Sequence, residues 1–83
     1  MPKFIDYHEM RDVAPEMAAG IAERIKAGEA DERGVKGLNV FLGNDGTAFC
    51  LSEAPNADAV VEAHTAYGFS LDRKDVVEVE SVV

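Results

Sequence analysis

The chain has 83 residues, 47% of them apolar, with 16 acidic against 8 basic side chains and a formal net charge of −8. A chain of this length is expected to form one domain, residues 1–83, with a core large enough to fold but a high share of exposed surface. The acidic balance argues against a nucleic-acid backbone or an anionic membrane as partner, since both reward clustered Lys and Arg. No apolar run approaches the roughly 20 residues of a membrane span. The N-terminal Met1-Pro2-Lys3 leads straight into strand-like sequence without a signal-peptide core, so a cytoplasmic address is expected. A lone cysteine excludes an intrachain disulfide and a structural zinc knuckle.

Lys3 to Glu9 is rich in aromatic and branched residues and reads as a strand, with Phe4, Asp6 and His8 on one face and Ile5, Tyr7 and Glu9 on the other. A helix is expected from Asp12 or just after it, with Pro15 and Glu16 in its first turn. Met17, Ile21 and Ile25 recur every four residues, giving it one buried stripe, and it should end between Gly28 and Gly34. Val35 to Leu42 returns to a period of two, with Leu38, Val40 and Leu42 opposite Gly37, Asn39 and Phe41. Gly43-Asn44-Asp45-Gly46 is a hairpin turn, and Thr47 to Leu51 is its returning strand. Asn56 is placed to cap a second helix whose inner stripe is Ala57, Val60, Val61 and His64, with Gly68 closing it. The tail from Asp75 to Val83 reads as a last strand with Val77, Val79 and Val83 on one face.

The order strand, helix, strand, strand, helix, strand predicts an α+β, ferredoxin-like βαββαβ sandwich, a four-stranded antiparallel sheet with two helices on one face. Phe4 and Phe41 are then expected on the helix-free face. A second subunit is the expected cover for such a face, so a homodimer is predicted.

His8 and His64 are the only imidazoles, and any transition-metal site or general base near neutral pH draws on them. His8 shares a strand face with Asp6, an arrangement that suits two metal ligands, a ligand with the carboxylate that orients it, or a packed histidine bonded to an aspartate. His64 lies beside Val60 and Val61, where it is either a packing group or a functional one. Neither histidine belongs to an HxH or HxxxH chelate. Glu9, Glu62, Glu78 and Glu80 offer hard oxygens but are unselective in so acidic a chain. Cys50, among apolar neighbours, reads as a small hydrophobe, with a soft ligand or redox thiol as the alternative. The turn at Gly43–Gly46 lacks the spaced carboxylates of a calcium loop, and the sequence contains no phosphate loop and no GxSxG nucleophile.

The run Phe49-Cys50-Leu51-Ser52-Glu53-Ala54-Pro55-Asn56-Ala57-Asp58-Ala59-Val60 with His64 downstream, together with Phe4-Ile5-Asp6-Tyr7-His8 and Gly34-Val35, resembles a family of small bacterial proteins. That family includes a nickel-binding, dimeric, ferredoxin-like protein from actinobacteria. The resemblance implies a metal-binding protein without a catalytic cycle, holding nickel, with zinc as the rival. It matches His8 and His64 to the family's metal-ligand histidines; Asp6 and Glu9 are then candidate oxygen ligands or orienting groups, and Cys50 mainly core. The chain departs from nickel-binding members at Glu9 and Met10, where they are richer in histidine, and its acidic segment from Gly28 to Gly34 offers no imidazole. The alternatives are a dimeric monooxygenase- or isomerase-type enzyme, with His8 or His64 as base beside Asp6 in an apolar pocket, and a purely structural dimer.

Overall fold

Alternating strand and helix patterns fold as that order demands. The computed structural model describes residues 1–9 and 15–83, so the expected helix start near Asp12 lies outside the described residues. The elements are β1 (Lys3–Glu9), α1 (Pro15–Ala27), β2 (Lys36–Leu42), β3 (Thr47–Glu53), α2 (Ala57–Ala66), a short 3₁₀ turn (Arg73–Asp75) and β4 (Val76–Val79). The strands form one antiparallel sheet in the order β2-β3-β1-β4, with both helices on one face, which is the ferredoxin-like βαββαβ arrangement.

Strand β1 is central, and its burial alternates strictly. Phe4, Asp6 and His8 point under the helices, while Ile5, Tyr7 and Glu9 point away. Phe4 is thus buried in the core with Ala54, Ala57, Ala59, Val60, Leu71 and Val76, and not on the helix-free face as expected. Its pairing with Ser52 on one side and Glu78 on the other sets it beneath α2, whose alanines allow close approach. Phe41 does lie on the open face, paired across the sheet with Phe49, which in turn pairs with Tyr7.

A register irregularity between Gly37 and Asn39 moves Gly37 to the helix side, opposite Ser52. There a Cβ would come within 2.9 Å of Ile25 Cγ1, so glycine admits α1 over the start of β2. Even so, α1 does not seal the sheet. Ile21 and Ile25 are only half-buried, and Met17, expected in the buried stripe, is 42% exposed. A cavity of about 440 Å³ remains between α1, α2 and the sheet.

Asn56 caps α2 as its residue type suggests, its side-chain oxygen accepting from Ala59 N at 2.8 Å. Gly68, at φ +85°, reverses the chain after the helix and lets Phe69 N donate to the His64 carbonyl at 2.9 Å. The hairpin turns through Gly43–Gly46 as expected, with Gly46 at φ +87°. The last strand is shorter than its valine pattern suggests. It stops at Val79, because β1 supplies partners only from Asp6 back to Lys3, and Val82 and Val83 are fully exposed.

Replacing Asn56 with Ala removes a cap whose partner N–H has no other acceptor within the helix. We expect about 1 kcal/mol of lost stability, read as a lower urea midpoint at unchanged slope.

Candidate metal centre

Strand alternation and cross-strand pairing bring four heteroatom side chains to one point. Asp6 and His8 are two residues apart on the inner face of β1. Cys50 lies directly across from Asp6 on β3, and the small Ala48 faces His8, leaving the imidazole room to turn. His64 comes down from the last turn of α2. One donor atom from each of Asp6, His8, Cys50 and His64 falls within 4.8 Å of all the others.

Each imidazole is anchored through Nδ1 to a backbone carbonyl. His64 Nδ1 donates to Val60 O at 2.8 Å, and His8 Nδ1 to Glu9 O at 3.3 Å, in the tautomer these contacts select. That leaves Nε2 of both rings facing the centre, that of His8 toward the Cys50 thiol and that of His64 toward Asp6. His64 Nε2 is 3.2 Å and His8 Nε2 3.8 Å from Asp6 Oδ1, while Cys50 Sγ is 3.7 Å from His8 Nε2. A tetrahedral divalent ion with bonds of about 2.0–2.3 Å holds its ligand atoms about 3.3–3.8 Å apart, so these spacings need little adjustment to enclose one. The Phe69 ring packs 5.4 Å from His8 and 6.2 Å from His64, covering the imidazoles with an apolar wall.

Asp6 is the decisive group. It is wholly buried, and neither of its oxygens accepts a hydrogen bond. Its charge is offset in the metal-free chain when His64 Nε2, 3.2 Å away, carries a proton. A divalent cation bound beside it would replace that imidazolium as the counter-charge. Two nitrogens, one sulfur and one oxygen form a donor set of borderline softness suited to late first-row metals such as zinc or nickel, and ill suited to magnesium or calcium.

The same carboxylate sets the local proton equilibria. For His64, burial is the largest single influence and pulls its pKa down, but the Asp6 carboxylate and the Val60 carbonyl together raise it above the ordinary imidazole value. For Cys50, burial first and the Asp6 charge second push the thiol up to about 12. Without metal the thiol therefore keeps its proton at neutral pH, and a bound ion would displace it.

Three of the expected residues, Asp6, His8 and His64, meet here, with the two imidazole rings 5.2 Å apart. Glu9 does not bring its carboxylate to this point. Its side chain leaves β1 on the opposite face, and its carbonyl accepts from His8 Nδ1. Cys50, expected mainly as core, stands in the cluster instead. The signal for it was the run of small inner positions Ala48, Cys50 and Ser52, which becomes informative once β3 is paired with β1.

Over residues 4–79 the chain matches the family model described as nickel responsive protein SCO4226-like. It belongs to that family. Among solved structures, the crystal structure of SCO4226 from Streptomyces coelicolor A3(2) is similar to this chain at 29% identity with a TM-score of 0.71, covering 98% of this chain and 99% of that one. Curated proteins gave no match. Membership in the SCO4226-like family agrees with the resemblance carried by the Phe49–Val60 run and the strand around His8. Among the described residues, no helix is long and apolar enough to cross a membrane.

The raised pKa of His64 fixes the sign of a pH effect. The imidazolium–Asp6 attraction is fully present below the unfolded-state pKa of about 6.5 and is lost as pH rises through the higher folded value. Metal-free protein should therefore lose stability as pH rises above the ordinary imidazole value of about 6.5, and Asp6→Asn should flatten that slope in urea titrations run across the pH range.

Proposed function

We propose that this chain sequesters or responds to a divalent metal ion, nickel first and zinc second, held by His8 Nε2, His64 Nε2, the Asp6 carboxylate and Cys50 Sγ. The observation that carries the reading is the wholly buried Asp6 carboxylate, with donor atoms of His8, His64 and Cys50 gathered within 4.8 Å of it and of one another. Nickel is favoured over zinc by the description of the family, and the donor set suits either. Glu9 contributes through its carbonyl, which orients His8, and not through its carboxylate. The role is binding without turnover. A cytoplasmic setting fits a thiol ligand that must stay reduced.

Calorimetric titration of untagged protein with nickel and with zinc tests this directly. One ion per chain is expected, with proton release and with affinity rising with pH, because the Cys50 and His64 protons must leave. Outer partners of metal sites are typically worth 10–100-fold in affinity, so His8→Ala, His64→Ala and Asp6→Asn should each weaken binding by about 100-fold or more. Unaltered binding in these variants would sink the assignment.

We further propose that the chain works as a homodimer built on the helix-free face. Tyr7, Phe41 and Phe49 form a continuous cross-strand row there, extended by Ile5 and Val77, and all five side chains are exposed. The Tyr7 and Phe49 rings are 5.8 Å apart and tilted 40° to one another, already packed together within this apolar surface. A second copy is the partner that supplies an equal apolar face to every molecule. Sedimentation should show a dimer for the unmodified chain and a monomer for Phe49→Glu, with metal uptake retained in both. A monomeric unmodified chain refutes the dimer and leaves the metal reading standing.

A further inference from the structure

Metal binding leaves the cavity beneath α1 unused. Its volume of about 440 Å³ lies in the range of small-molecule sites, about 300–1,000 Å³. Ile21 and Ile25 from α1, Val40 from β2 and Ala63 from α2 supply apolar walls. These side chains belong to inward faces that in a closed sandwich would pack against one another, yet here Ile21, Ile25 and Val40 remain half-buried over open space. One wall differs in kind: His8, Cys50 and His64 all border the cavity, while Asp6, wholly buried, stands behind them. The space is therefore apolar along its sides and rich in metal-ligating atoms at one end.

We propose that this cavity takes a small organic molecule with a flat apolar body and a single electron-pair donor, seated with the donor toward His8, Cys50 and His64. The apolar body replaces water along Ile21, Ile25 and Val40, the burial that α1 by itself does not achieve. The donor end would add a further ligand to an ion held by the four side chains, entering from the cavity side that His8, Cys50 and His64 border. Zinc and nickel centres can expand beyond four ligands to admit it. The apolar half of the proposal rests on the cavity alone, and the donor half rests on the metal reading above.

Three probes separate these contributions: 4-phenylimidazole, which has both ring and donor; imidazole, which has the donor only; and 2-phenylpyrrole, which has the ring but no free nitrogen lone pair. Zinc uptake is measured first without any probe, so failure of the metal centre shows independently. On zinc-loaded protein, calorimetry should find 4-phenylimidazole bound saturably and roughly tenfold or more tighter than either control. Amide shifts should move at Ile21, Ile25 and Val40. Ala22→Trp, which fills the cavity from α1, should abolish phenylimidazole binding and leave zinc uptake unchanged; Val40→Phe serves the same end from β2 should the first variant not fold. Equal affinities for phenylimidazole and imidazole on protein that holds zinc would overturn the proposal, as would binding that survives both filling variants. If the unmodified chain takes up no zinc, saturable binding of phenylimidazole or phenylpyrrole that Ala22→Trp removes upholds the apolar site and discards the donor half. Absence of such binding overturns both.

Discussion

A carboxylate sealed inside the sheet without a hydrogen bond is the constraint around which this fold is arranged. Asp6 occupies the middle of the central strand, where a hydrophobic residue would serve packing better. Everything near it compensates. His64 is tilted into reach by the last turn of α2, His8 is held by its neighbour's carbonyl, and the inner positions of β3 are kept small. The apolar core of Phe4, Val60, Leu71, Val76 and the buried alanines sits to one side, under α2. Under α1 the filling is looser: Ile25 packs at Gly37, yet a cavity of about 440 Å³ remains. The molecule thus divides into a packed half that provides stability and a loosely roofed half that borders the polar cluster.

Sequence patterning located most of this frame. The hairpin, the Asn56 cap, the Gly68 terminus and the βαββαβ order all follow from local chemistry, because each depends on a few neighbouring residues with restricted backbone preferences. Local patterning fails where a residue's face depends on a distant partner. Phe4 reads as an open-side residue because its strand alternates between two mixed faces, and nothing within Lys3–Glu9 says which one the helices cover. The register irregularity at Gly37 inverted a face for the same reason. The valines at the C-terminus have strand propensity, but the extent of β4 is limited by the partners that β1 offers.

The site was half legible. Asp6 and His8 share a face by simple alternation, so their pairing required no tertiary knowledge. The approach of His64 depends on where α2 crosses the sheet, and the entry of Cys50 depends on the β1–β3 register; neither can be derived from spacing along the chain. Glu9 was misdirected by proximity in sequence, since adjacent strand residues point to opposite sides. The resemblance singles out the two histidines, and the geometry brings them within reach of each other and of Asp6 and Cys50.

The four clustered side chains are drawn from β1, β3 and α2, and Cys50 and His8 are 42 positions apart in the chain. An ion bound among them would act as a removable cross-link, closing long loops much as a disulfide does but without depending on oxidation. Its departure would then be gated by the element easiest to detach. Of the three elements, β1 and β3 lie in the middle of the sheet, whereas His64 stands in the last turn of a ten-residue helix, the end from which an exchange would start. Occupancy of the cluster would in this way be written into the fraying of a single helix end, giving the protein a means of reporting its metal state through a change in local order.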